Sequence, residues 1–299
     1  MGVFMKRLFL AIILALAIPF AVFAGGDSSP CKTVYPIVLA HGMGATDNML
    51  GFINYWWGTE SALEGKGADV YITKVNCMDT TQNKGAAFKA QFLQILAATG
   101  KAKANVIGHS HGTIYTRYAI TNLGLGTKVA SHTSLCGPHR GSAVADVILG
   151  LAGDTGGWLI GATLDVVYAF IMGDAHPQSY ANGVCVTRPY MNNTFNPNCP
   201  NVSGIYYQSY ATRITLIASN DMVLTPTYWL LNFYEGQNDG LVSVTSAKWG
   251  TFRGVQEGTW ILGGVSHINA IGHFFGVTPG FSSTDWITGI VGDLKSKGY

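Results

Sequence analysis

The stretch Ala104-Asn105-Val106-Ile107-Gly108-His109-Ser110-His111-Gly112 reads as a buried strand that runs without a break into a sharp turn. A helical stretch follows, with Tyr115, Tyr118 and Ala119 at helical spacing. The turn fits Gly-x-Ser-x-Gly. In a chain with 38 glycines that pattern is weak by itself, and the strand before it and the helix after it carry the reading. A tight bend between strand and helix forces its central residue into a strained conformation and lifts that side chain above the sheet edge. Side chains in place of Gly108 or Gly112 would collide with neighbouring backbone. Ser110 is the candidate nucleophile, and the competing reading is a phosphate-binding or purely structural turn.

Working outward, residues 35–40 (YPIVLA), 70–75, Val129–Leu135 and 214–218 are further short, apolar, β-branched runs that read as buried strands. Residues 84–99 and 111–122 carry apolar side chains at helical spacing. Strands that alternate with helices predict an α/β fold, a mostly parallel sheet covered on both faces. Residues 141–173 are rich in Gly, Ala, Leu, Ile and Val. They read either as core helix or as a mobile cap with Gly156-Gly157 as hinge. Residues 183–204 form a loop dense in Asn and Pro.

Composition narrows the function classes. Of 299 residues, 48% are hydrophobic and 11% charged, with 18 Lys+Arg against 16 Asp+Glu. That excludes a disordered chain, and no basic cluster favours nucleic acid. One apolar run, residues 8–18, follows Lys6-Arg7 and is broken by Pro19 before Val22-Phe23-Ala24, the layout of a secretory signal peptide cleaved near Ala24. Its removal takes two basic residues and no acids, leaving a charge-balanced secreted chain that meets partners by apolar contact. Residues 25–299 are expected to form one domain, with a lid insertion at about 141–175. Five cysteines (Cys31, Cys77, Cys136, Cys185, Cys199) leave at least one unpaired. Export permits disulfides; Cys185–Cys199, within one loop, is the favoured pair and Cys31–Cys77 the second, while Cys136 reads as a small core residue.

A serine nucleophile needs a base held by a third group, and on this scaffold the chain order is Ser, acid, His. His267 follows the strand-like run 260–265 and a glycine-rich bend, where a loop can present a ring to Ser110. His273 is the second choice. Asp239, in the tight turn Asn238-Asp239-Gly240, lies between a late strand and His267, with Glu235 and then Asp221 as competitors. The tetrahedral intermediate needs two backbone N–H donors. His111, directly after the nucleophile, supplies one. Met43, in His41-Gly42-Met43-Gly44 after the first strand, is the natural second, with His41 a structural hydrogen-bonder.

Together YPIVLAHGM, GHSHG, GPHRGS (137–142) and NDGLV (238–242) resemble the secreted bacterial true lipases, α/β-hydrolases that cleave triacylglycerols and are folded by a dedicated periplasmic chaperone. The resemblance runs from about residue 35 to 275. It implies Ser110, Asp239 and His267 as triad, Met43 and His111 as oxyanion donors, and 141–173 as a lid opening at an oil–water interface. It also implies a structural calcium, with Asp221, Asn269 and the carbonyls of His273 and Val277 as ligands. Where the family has an aspartate, Asn269 is neutral, which weakens attraction for a hard dication. The family's usual disulfide has no counterpart near Thr245. The chemistry itself requires no cofactor. The expectation is a secreted serine carboxylester hydrolase acting on long acyl esters, most directly triacylglycerols, at a lipid interface, with a folding chaperone and no nucleic-acid partner. Competing readings are a phospholipase, short-chain esterase or acyltransferase on the same triad, and a catalytically silent lipid-binding module.

Overall fold

The computed structural model describes residues 28–43, 48–49, 53–151, 178–215, 224–259, 263–273 and 278–299. The signal-peptide reading and most of the lid insertion lie outside these. Six strands form one sheet: β1 Ile37–Ala40, β2 Val70–Thr73, β3 Ala104–His109, β4 Val129–Leu135, β5 Tyr206–Thr212 and β6 Thr251–Gln256. Their order is β2-β1-β3-β4-β5-β6, and every pairing is parallel. Parallel neighbours need crossovers. These are supplied by helices α1 Thr59–Glu64, α2 Thr81–Thr99, α3 Gly112–Asn122, α4 Ala143–Leu151, α5 Ser179–Val184, α6 Thr225–Tyr234 and α7 Val244–Ala247, and α8 Ser283–Ser296 closes the chain.

Both faces of the sheet are covered because side chains alternate along each strand. From β1, Ile37 and Leu39 pack with Ile107 of β3 against Ile287, Ile290 and Val291 of α8 and Leu63 of α1. Val38 and Ala40 point the other way, with Val106, onto Phe88, Phe92 and Leu96 of α2 and Tyr115 and Ala119 of α3. Each such aliphatic or aromatic side chain contributes about 1.5–3 kcal/mol by leaving water. Helix α2 starts where the Thr80 hydroxyl accepts from the Asn83 N–H and stops at Gly100, whose φ of 65° ends the helical path.

The strands expected at 214–218 and 260–265 fall partly outside the described residues; of their described parts, Ile214 and Gly264 make an isolated antiparallel bridge. Strands β5 and β6 are additions to the expected set: YYQSYAT and TFRGVQ carry no continuous apolar run. One expectation is overturned. The Cys185–Cys199 disulfide does not form, and all five cysteines are free and buried. Residues 188–198 wind as consecutive helical turns rather than a loop, so the segment between the two cysteines does not fold back as a hairpin. Cys199 packs instead beside Ile114, Met191 and Phe195.

Candidate active site

Ser110 caps β3 with φ at 56°, one of two non-glycine residues among those described in the left-handed region. Such a conformation costs about 1–3 kcal/mol and persists only where its surroundings hold it. They do so here. The Ser110 N–H donates to the Leu135 carbonyl at 3.0 Å, and its own carbonyl accepts from the Thr113 N–H and hydroxyl at 3.0 and 2.8 Å. The flanking glycines are obligatory: a Cβ at Gly112 would sit 2.2 Å from the Ala40 oxygen, and one at Gly108 would lie 2.7 Å from the Thr113 nitrogen.

Asp239 and His267 come together at the same edge, His267 Nδ1 lying 2.8 Å from Asp239 Oδ2, with both side chains buried. The Asn-Asp-Gly turn builds the acid's cradle. Oδ1 of Asp239 accepts from the Leu241 and Val242 N–H groups at 3.0 and 2.7 Å, leaving Oδ2 for the imidazole. The Asp239 carbonyl accepts from the His267 N–H at 2.8 Å, so the two loops are tied by backbone as well. Glu235, the competing acid, is committed elsewhere: it receives the Ala143 N–H at 2.7 Å and the Ser243 hydroxyl. Asp221 lies outside the described residues. His273, the alternative base, packs edge-on to Tyr55.

His267 reaches the nucleophile's turn through His109. Their ring centroids are 4.6 Å apart, and Ser110 is the next residue. Ser110 and His267 are not directly hydrogen-bonded in this structure; such contacts commonly tighten only once substrate is in place. Ser110 opens into a cavity of about 220 Å³ lined mainly by Met43, Met78, Val144, Ile148, Leu149 and Val242. Met43 thus lines the same cavity as Ser110. Gly42 before it lies so close that a Cβ there would be 2.8 Å from that of Ser110.

The His111 side chain turns away from the cavity. Its Nδ1 accepts from the buried Lys84 ammonium at 3.1 Å, and its Nε2–H donates to the Thr81 hydroxyl at 2.8 Å. Burial and the Lys84 charge hold this imidazole neutral, well below the ordinary histidine range. His41 is structural as expected: Nε2 accepts from the Val75 N–H at 3.1 Å, and Nδ1–H donates to the Gly42 carbonyl at 2.9 Å. Three neighbours carry no signature in the sequence: Lys84, Tyr55 and Cys136. The Cys136 thiol, also in the left-handed region, lies 3.2 Å from the Thr212 hydroxyl, which in turn approaches Asp239 Oδ2 at 3.4 Å. Burial and then Asp239 push this thiol well above its usual range.

Of the expected calcium ligands, Asp221 and Val277 lie outside the described residues. The other two do not fit a dication, because the Asn269 amide N–H donates to the His273 carbonyl at 3.3 Å. A hydrogen bond joins the two groups whose oxygens would both have to face the metal, and neither carries charge.

Parallel-sheet order, a serine on a strained strand-to-helix turn, and an aspartate after β5 paired with a histidine after β6 define an α/β-hydrolase. Comparisons with known proteins agree. Residues 36–211 match the palmitoyl protein thioesterase family. A triacylglycerol lipase of Vibrio cholerae serotype O1 is 32% identical over 73% of this chain and 75% of its own length. One from Pseudarthrobacter phenanthrenivorans is 39% identical over 39% of this chain and 37% of its own. Among solved structures, the mature Bacillus licheniformis lipase BlEst2 superposes with a TM-score of 0.59, covering 82% of this chain and 89% of that one at 21% identity. The metagenomic carboxyl esterase MGS0156 gives 0.68, covering 88% and 76% at 14% identity. The chain belongs to the bacterial triacylglycerol lipase family, and it is a lipase-type carboxylester hydrolase.

Proposed function

We propose that this enzyme hydrolyses long-chain acyl esters of glycerol through an acyl-enzyme on Ser110. His267, oriented by Asp239, removes the hydroxyl proton as Ser110 attacks the ester carbonyl. The developing oxyanion is held by the Met43 and His111 N–H groups. The same imidazole then protonates the leaving alcohol and activates the water that releases the fatty acid. The observation that carries this reading is the strained serine at the mouth of an apolar cavity, one residue from the ring that packs on an Asp-paired histidine. An acyl chain entering such a cavity gains about 0.8 kcal/mol per methylene, which favours long chains over short ones. The relatives' name, triacylglycerol lipase, supplies the glycerol ester.

The reading extends to export behind a signal peptide cleaved near Ala24, to work at a lipid interface and to folding aided by a periplasmic chaperone, all carried by the sequence alone. The decisive experiment is labelling with a long-chain alkyl phosphonate followed by peptide mapping. The label is expected on Ser110, and Ser110→Ala is expected to lose both label and activity. A label elsewhere, or an active S110A enzyme, overturns the assignment. The match to palmitoyl protein thioesterases favours one second reading, hydrolysis of long-chain acyl thioesters on the same triad. Relative kcat/KM on a palmitoyl thioester and on a triacylglycerol of equal chain length separates the two.

A further inference from the structure

Beneath the candidate site runs a chain of hydrogen bonds that no reaction step uses. The Gly42 N–H donates to the Tyr55 phenol oxygen at 2.9 Å. That oxygen lies 2.6 Å from His109 Nδ1, and His109 Nε2 lies 3.1 Å from the His267 carbonyl oxygen. Donor and acceptor roles follow by elimination. The phenol oxygen receives the Gly42 proton, so its own proton goes to Nδ1. The His267 carbonyl can only accept, so Nε2 carries the imidazole's proton. Both rings are buried and uncharged, the imidazole held well below and the phenol well above its ordinary range by burial.

This one chain therefore spans three separate parts of the site. At one end it grips the peptide N–H next to Met43; in the middle it occupies the residue before Ser110; at the other end it holds the backbone of His267. Neither ring lines the cavity. We infer that Tyr55 and His109 are positioning residues: they set the oxyanion loop and the histidine loop at a common distance from Ser110. The inference rests on Ser110, His267 and Met43 having the roles proposed above.

The physical reason is that oxyanion donors act by being aimed before the reaction begins, and a misplacement of about 1 Å costs on the order of 100-fold in rate. Removing the Tyr55 hydroxyl leaves the Gly42 N–H without its acceptor and His109 Nδ1 without its donor, so the imidazole is held at one nitrogen only. The link between the oxyanion loop and the histidine loop is then broken at the phenol, and each loop loses its fixed distance from the other.

The test compares Tyr55→Phe with wild type on a soluble short-chain ester and on a trifluoromethyl ketone, which adds reversibly to the serine and forms an oxyanion. Tyr55→Phe is expected to lose about 10- to 100-fold in kcat with KM unchanged, and ketone affinity should fall by a similar factor. Two variants at position 109 divide the chain. An asparagine amide reaches the Nδ1 position and keeps the Tyr55 arm, so His109→Asn should retain ketone affinity. A glutamine amide reaches the Nε2 position and keeps only the His267 arm, so His109→Gln should lose it. Unchanged ketone affinity in Tyr55→Phe overturns the inference, whatever happens to kcat. Should Tyr55→Phe not accumulate folded, the same measurement on His109→Gln decides in its place. Phosphonate labelling of wild type at a residue other than Ser110 would instead sink the underlying catalytic reading.

Discussion

At the scale of single residues, what could be read in advance was what backbone geometry dictates. Ser110 was legible because only small flanking residues permit the turn, and the coordinates show the contact responsible, between a would-be Cβ at Gly112 and the Ala40 oxygen. Gly112→Ala is thus expected to destabilise the fold by several kcal/mol, read as a large drop in the urea midpoint, since backbone rather than a flexible side chain has to yield. The pairing of Asp239 with His267 was legible from chain order and from resemblance to a family. Tyr55, Lys84 and Cys136 were not, because their contacts span long sequence separations and leave no local pattern. For Cys136 the environment makes a sharp statement. A thiol whose pKa is raised by burial and by Asp239 stays protonated in mild alkali, so iodoacetamide at pH 8 should neither label it nor reduce activity. Rapid inactivation tracking with modification of Cys136 would contradict the buried, neutral placement.

At the scale of elements, β1, β2 and β3 were recognised from short apolar runs, and β4 from the apolar residues at its two ends. Of the two that escaped, β5 uses polar groups inside the sheet and β6 is a partly exposed edge strand. In β5, the Gln208 amide donates to the Thr133 hydroxyl at 2.9 Å, and Thr212 turns toward the acid. A central strand so satisfied looks like a loop in the sequence. Helix α6 carries no charge and presents Trp229, Phe233 and Tyr234 to solvent, with Phe233 83% exposed. It packs on α4, whose Ile148 lines the cavity and is itself exposed. An exposed aromatic ridge beside an acyl cavity suits contact with a lipid surface. Replacing Trp229 and Phe233 by serine should lower turnover of an emulsified long-chain ester about 10-fold and spare a soluble short-chain ester, because only the former requires adsorption. In the loop after β6, the Asn269–His273 hydrogen bond stands where a dication would be held. EDTA should leave the thermal midpoint unchanged, and added calcium should not raise it; a calcium-dependent shift would show that the loop rearranges to admit the ion.

At the scale of the whole molecule, burial of histidine rings ties stability to acidity. His109, His111, His132 and His139 are all held below the ordinary imidazole range by burial, His132 at about 3. Unfolded, each would take up a proton as pH falls below about 6.5, whereas the folded protein resists protonation. Their contribution is therefore complete above that pH. Below it, each removes up to about 1.4 kcal/mol per pH unit until its folded pKa is reached. Urea denaturation should give a nearly constant free energy from pH 7 to 8 and a steep decline between pH 6 and 5; a flat profile across pH 5 would show that these rings are solvated. The sheet order has its own consequence in time. β1 hydrogen-bonds to β3 across more than sixty residues, and the serine, the acid and the imidazole arrive from opposite halves of the polypeptide. A partly synthesised or half-refolded chain that has docked only its first strands carries a hydroxyl with no base near it. Catalysis is thereby deferred until the segment carrying His267 is seated, and the regain of turnover during refolding should lag behind the regain of helix signal.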